Sequence, residues 1–393
     1  MQVTGVKLHG SKIMPNRFCF PRGVVFAATA VLALNFSVRA IDEGDNVSSG
    51  QRITPTAAPR ADLQYLNVGL SQYPDFVASG GISSALSPDG KTLLVLTSGY
   101  NLWHDSQGNT AVKNQYIFVY DVSGNAKPIQ KQVLAVPNTD AGIVFDPSGQ
   151  TFYVTGGKDD NVHTFGIQSD GTWTEAGTPI ALGHTTGVLQ ADSPVVAGVA
   201  VSGDGTKLVV ANLYNDSLTL VNTAARTIAA ELDLRPGKND PSQSGVPGGE
   251  YPFWVVFKGN DTVYVSSLRD REIVVVDVSG ANPAIKTRIK VEGNPTKMIL
   301  DKSQARLLVA EDNADRIALI DTSSNQTIST VKTTGPEDVV SRLGKYHGVS
   351  PNSLVLSSDE SLLFVTNGGA NAVVMIDLRG DHPLVRALFP TGY

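Results

Sequence analysis

The stretch AGVAVSGDGTKLVVANLYNDSLTLVN, residues 197–222, decides the fold: an apolar strand, an Asp-Gly turn, a second apolar strand ending in an Asn-rich segment, and a third strand ending in Asn. Runs of this length, rich in Val, Leu and Ile and bounded by turn formers, read as β-strands, and the turn glycine supplies the positive φ that a tight hairpin needs. The same arrangement recurs upstream as ISSALSPDGKTLLVLTSG with YIFVYD (82 to 121) and AGIVFDPSGQTFYVTGGKDDNVHTFGI (141 to 167). Downstream it returns as PFWVVFKGNDTVYVSSLRDREIVVVD (252 to 277), PTKMILDKSQARLLVAEDNADRIALID (295 to 321) and PNSLVLSSDESLLFVTNGGANAVVMID (351 to 377). The last turn residues of the six copies, Gly90, Gly149, Gly205, Asp261, Gln304 and Glu360, lie 43 to 59 residues apart. A fourth strand follows in several copies, as in Arg226 to Leu234 and Gln326 to Val331.

A four-stranded sheet of this kind cannot bury both faces alone, so copies must stack, and a ring leaves no long edge exposed. The sequence therefore predicts an all-β protein, a β-propeller of four-stranded antiparallel blades. Six repeats are visible, near 82–122, 141–167, 197–234, 252–278, 295–331 and 351–389, with a seventh incomplete and the ring unclosed or weakly closed. A β-sandwich would not require repeated copies of one unit.

The 393-residue chain holds 41% hydrophobic and 17% charged residues with 38 Gly and 21 Pro, the profile of a globular, turn-rich protein. A formal net charge of −6 opposes broad nucleic-acid binding, which draws on clustered cations, so nucleic acid is an unlikely partner. Lys7, Lys12, Arg17 and Arg22 precede the apolar run Gly23 to Leu34, and Val38 and Ala40 stand at the −3 and −1 positions of a cleavage site. That order describes a signal peptide over 1–40, followed by a flexible lead-in at 41–61 and the propeller at 62–393, with the mature chain periplasmic or secreted. The run is too short to span a bilayer, and no transmembrane span is expected in the mature chain. Cys19 lies inside the presumed signal peptide, so the mature chain has no thiol for a disulfide or nucleophile.

The segments LLVLTSG, LVVANLYNDSLTLVN, VYVSSLRDREIVVVD and LFVTNGGANAVVMID resemble YVTN-type propeller repeats, with Val365-Thr366-Asn367 the nearest literal match. More narrowly, GQRITPTAAP (50 to 59), PNTDAGIVFDPSG (137 to 149), DDNVHTF (159 to 165) and GGEYPFWVVFKGNDTVYVSSLRDREIVVVD (248 to 277) resemble the propeller half of exported bacterial proteins that join it to an alkaline-phosphatase-type phosphoesterase. The resemblance implies that Gln51 to Thr56 could supply a ring-closing strand.

No Gly-x-Ser-x-Gly elbow, Walker-type loop or His-Glu-x-x-His motif is present, so no catalytic residue and no metal site is assigned. The acidic and Asn-rich segments Lys158–Asn161, Asn212–Asp216 and Glu311–Asp315 carry oxygen ligands suited to calcium, the one cofactor entertained. Their ordinary role is to bond their own backbone at turns. Trp254 reads as packing. Lettering the strands of a blade A to D outward from the axis, the long connections at Tyr100 to Asn114, Gly183 to Pro194, Pro236 to Tyr251 and Thr333 to Ser350 are B–C or D–A links, which share one face. Trp103, His104, His184, Glu250, Tyr251, Tyr346 and His347 ride on them as exposed loop side chains and form the candidate binding face. The expected function is a noncatalytic scaffold holding an unknown ligand or protein partner there. The alternatives are the propeller portion of a metal-dependent phosphoesterase, or a lactonase-like hydrolase with a divalent ion on its axis.

The export reading is checked by mass spectrometry of the secreted or periplasmic protein. Residue 41 should be its N-terminus, and an intact Met1 on a membrane-bound form would contradict it.

Overall fold

In the computed structural model, residues 64–391 are described, apart from 100, 102, 105–106, 109, 125–126, 185–192, 336–347 and 381. The signal peptide, the lead-in and Gln51 to Thr56 lie outside the described residues, as do Tyr346 and His347.

Each repeat folds as an antiparallel meander, and the six sheets form a six-bladed ring. Blade 1 comprises Gly81–Leu86, Thr92–Thr97, Gln115–Asp121 and Ile129–Val136, in that order across the sheet. Blades 3 to 6 repeat the plan from Val196–Val201, Pro252–Lys258, Pro295–Leu300 and Pro351–Leu356. Blade 2 begins at Ile143–Phe145, and its outer edge is shared by two short strands, Trp173–Glu175 and Ile180–Ala181, both paired with Asn161–Ile167. In blade 1 the B–C link carries a small hairpin, Trp103–His104 with Thr110–Val112.

The middle strands read as continuous apolar runs because both of their faces are buried. In Lys207–Asn212, Leu208 and Val210 pack toward blade 2 with Tyr153 and Val162, while Val209 and Ala211 pack toward blade 4 with Val255 and Val265. Three further interfaces of this kind exist: blades 1–2 around Phe152 and Trp173, blades 4–5 around Tyr264 and Met298, and blades 5–6 around Leu308 and Leu363. Full burial of one such side chain is worth about 1.5–3 kcal/mol, so these interfaces supply most of the folding drive. The outermost strands, such as Thr227–Asp233, are largely exposed and polar.

Among the described residues no blade packs on the other face of blade 1. There Leu66, Val68, Leu70, Tyr73, Phe76 and Ala78, a segment pinned by the bridges Asn67↔Val77 and Leu70↔Tyr73, cover Tyr116, Phe118 and Tyr120. Between blades 1 and 6 lies a cavity of about 500 Å³.

The acidic segments lie at turns, but their aspartates bond incoming chain from outside the turn rather than their own turn backbone. Asp160, Asp216 and Asp315 end B–C turns in the left-handed region, at φ 52°, 53° and 54°. Each carboxylate accepts backbone N–H groups from the chain running into the next blade. Asp216 accepts from Tyr251 at 2.9 Å, and Asp315 from Gly348 at 2.7 Å, Val349 at 2.8 Å and Ser350 at 3.2 Å. Glu272, fully buried, accepts from Gly249 and is neutralised by Arg288 at 2.5 Å and Lys290 at 2.7 Å.

Asp315→Ala orphans three N–H groups, and a buried unsatisfied donor costs about 1–3 kcal/mol. Urea denaturation should therefore show a loss of about 2–4 kcal/mol, with most of it restored by Asn, which also accepts and tolerates positive φ. Equal stability of Asp315→Ala and wild type would contradict this tether.

Candidate active site

Six inner strands meet at one axis, and their register places equivalent residues at one level. Ser84, Ile143, Val199, Val255, Met298 and Leu354 each pair with the valine at the fourth position of the neighbouring strand. The residue before each is Ser83, Gly142, Gly198, Trp254, Lys297 and Ser353. Gly142 and Gly198 are required by close approach: a Cβ there would lie 2.4 Å from the Ala197 carbonyl oxygen and 2.5 Å from that of Phe253. In the next two blades the same level carries the two large side chains, Trp254 and Lys297.

Among the described residues Lys297 is the one buried lysine, 7% exposed. Its ammonium reaches from blade 5 to blade 1, donating to the Ile82 carbonyl at 2.6 Å and to Ser83 Oγ at 2.7 Å. It also lies over the Trp254 ring, 5.0 Å from the centroid. Among the described residues it has no ion pair with a carboxylate, and burial pushes its pKa down to about 8. The ammonium lies at the edge of the cavity between blades 1 and 6, whose lining includes Ser84, Thr296, Asn352, Thr366, Asn371 and Thr391. The lining is hydroxyl, amide and apolar, with no Asp or Glu among its described residues. A lone cation in a protein of net charge −6 makes this cavity selective for electron-rich oxygen. It draws on the B–C turn of blade 6 at Asn367, Gly368 and Asn371, so it opens on the face that carries the B–C and D–A links.

The described candidate binding residues do not line this cavity. His184 is not an exposed loop side chain, correcting the expectation. Its ring is 8% exposed and held at both nitrogens, Nδ1 by Asp160 at 2.7 Å and Nε2 by Glu231 at 2.9 Å, while its N–H donates to Asp160 at 2.6 Å. These bonds to Asp160 and Glu231 raise its pKa to about 9. Glu250 pairs with Arg269 at 2.9 Å, and Tyr251 stacks edge-on against Tyr214 at 5.6 Å. His104 is exposed on the blade 1 hairpin, bonded to Thr110 at 3.4 Å, and Trp103 belongs to the same hairpin. The structure does not gather these residues into one cluster with Lys297. Asp140, half-buried just before the inner strand of blade 2, has its carboxyl pushed up to about 6 by burial, but it does not line the cavity.

A divalent ion on the axis does not fit these residues. The axial level holds an ammonium, Asp160, Asp216, Glu311 and Asp315 of the acidic segments are engaged by backbone N–H groups, and among the described residues no three His, Cys, Asp or Glu side chains converge to hold a metal. Sequence reasoning missed Lys297 because PTKMIL reads as an apolar strand with one interruption. The available signal was positional: the other repeats place Ser, Gly or Trp there.

No family model and no curated protein matches the chain. Solved structures do. A putative 6-phosphogluconolactonase from Bacteroides uniformis superposes with a TM-score of 0.60 at 10% identity, over 80% of this chain and 88% of that one. The periplasmic gluconolactonase of Pseudomonas aeruginosa gives 0.58 at 14%, over 80% and 87%. A putative 6-phosphogluconolactonase from Bacteroides fragilis gives 0.58 at 12%, over the same shares. At these identities the likeness establishes the propeller fold. No helix among the described residues is long and apolar enough to cross a membrane.

His184 carries a testable pH dependence. Its folded pKa of about 9 exceeds the ordinary 6.5, so the clamp stabilises fully below about pH 6.5 and is lost as pH rises through about 9. Wild type should lose stability between those limits in chemical denaturation, and His184→Ala should lose less over the same range. Identical pH profiles would contradict the clamp.

Proposed function

We propose that this chain is a lactonase-type hydrolase whose substrate enters the cavity between blades 1 and 6 and meets Lys297 at the axis. This corrects the expectation of a noncatalytic scaffold: three of the similar propellers carry lactonase names, which favours the hydrolase alternative. The observation that carries the reading is the buried ammonium of Lys297, without a carboxylate partner, beside a cavity lined by hydroxyl and amide groups.

In lactone hydrolysis, water adds to the carbonyl carbon and the ring C–O bond breaks. The ring oxygen leaves as a hydroxyl and a carboxylate forms, releasing one proton. An ammonium aimed at the carbonyl oxygen stabilises the negative charge that develops there, and its strength grows where water is excluded. Ser83, Ser84 and Asn352 offer neutral donors and acceptors for the hydroxyl groups of the ring. Because Lys297 occupies the axis, the reaction is assigned to protein groups and water, without a divalent ion. Export to the periplasm or medium is part of the proposal, supported by the cationic and apolar runs before Ala40. Kinship to YVTN-type repeats is likewise proposed, on the Val365-Thr366-Asn367 segment and its counterparts.

A panel of five- and six-membered sugar lactones, followed by proton release in weak buffer, tests this. Wild type should turn over at least one lactone, with activity falling as pH rises through about 8 and the ammonium is lost. Lys297→Met, verified as folded by its thermal transition, should lower kcat/KM by about 100- to 1000-fold, the usual cost of removing one oxyanion donor. Absence of proton release with every lactone, or a folded Lys297→Met of wild-type rate, would overturn the proposal.

A further inference from the structure

We propose that Trp254 is a positioning residue whose indole face replaces the missing counter-charge of Lys297 and keeps its ammonium aimed across the axis. This deepens the hydrolase reading, since it concerns the same ammonium, but its test needs no substrate.

A buried ammonium ordinarily requires a carboxylate partner, because taking a charge out of water costs several kcal/mol. Around Lys297 the described residues supply no such partner. The neighbouring inner strands present Ser83, Ser84, Phe253, Thr296, Asn352 and Ser353, none of which titrates in the physiological range or carries charge. The ammonium has two oxygen acceptors, Ile82 O and Ser83 Oγ, and the ring of Trp254. An aromatic face is electron-rich, so it attracts a cation without forming a tight ion pair and without competing for a substrate oxygen. A carboxylate in the same place would repel the developing oxyanion and the carboxylate product alike.

Trp254 is itself fixed for this task. Its indole N–H donates to the Met298 carbonyl at 3.1 Å, on the inner strand of blade 5, one residue beyond Lys297. Its backbone N–H donates to Ser266 Oγ at 2.9 Å. The ring edge is thereby locked to the strand that carries the lysine, and the ring face is turned to the ammonium. Phe could supply the face but lacks the N–H, while Leu supplies neither.

The test reads the titration of Lys297 directly. Protein labelled with lysine carrying ¹³C at Cε gives one NMR signal per lysine, and the Lys297 signal is the one absent from Lys297→Met. In wild type its midpoint should lie near 8. In Trp254→Leu it should fall by about half a unit to one unit, the shift that loss of a partly desolvated cation–π contact produces. Trp254→Phe should fall between them. Because Trp254→Leu also removes a packed ring, a second series keeps it: tryptophan bearing one, two or three fluorine atoms withdraws electrons from the face with little change of shape. The Lys297 midpoint should fall stepwise along that series. A midpoint unmoved by fluorination would overturn the proposal, whether or not the protein hydrolyses lactones.

Discussion

Six inner strands forced toward one axis leave almost no room for side chains at the level where they converge, and the rest of the molecule depends on how that space is filled. Gly142 and Gly198 yield it entirely, because neighbouring carbonyl oxygens stand where a Cβ would go. Trp254 and Lys297 take it in the next two blades, and Ser83 and Ser353 close the circuit with small polar groups. A ring of six identical residues would have produced a plugged axis with no chemistry. Unequal filling produces both tight packing between blades 2, 3 and 4 and a polar cavity between blades 6 and 1.

The same division organises the electrostatics. On the loop-bearing face, carboxylates at B–C turns are spent on backbone N–H groups of the chain that enters the next blade, as with Asp216 and Asp315. His184 adds a charged clamp of the same kind between Asp160 and Glu231. These acidic groups hold the approach segments in conformations they would not otherwise keep, such as Tyr251 at φ 54° ahead of Pro252. With Asp160, Asp216 and Asp315 committed to the backbone, Lys297 is left, among the described residues, with an aromatic face and neutral oxygens.

Much of the fold was legible because its unit is short and repeated. The turn residues at Gly90, Gly149 and Gly205 mark hairpins directly, and apolar runs such as Leu208 to Ala211 announce strands buried on both faces. Strand order then fixes which connections share a face, and the cavity opens on that face. The site itself was hidden for a physical reason. Lys297 and Trp254 come from different repeats and acquire meaning only when the register sets them side by side, whereas each alone reads as an interruption or as packing. His184 looked like a loop side chain because its partners, Asp160 and Glu231, are 24 and 47 residues away in sequence. The scaffold expectation rested on the absence of a catalytic constellation and on the one-sided loops, and residues that meet at the level of a ring leave no contiguous motif to read.

The central claim is that the axial ammonium is where the ligand meets the protein, and the most direct measurement is a crystal structure of the wild-type protein soaked with a sugar acid, the product of lactone opening. The account predicts density for the acid between blades 1 and 6, with its carboxylate within hydrogen-bond distance of Lys297 Nζ and its hydroxyls against Ser84 and Asn352. Density for the acid on the Pro236 to Tyr251 loop, with the cavity beside Lys297 left to water at saturating concentration, would contradict it.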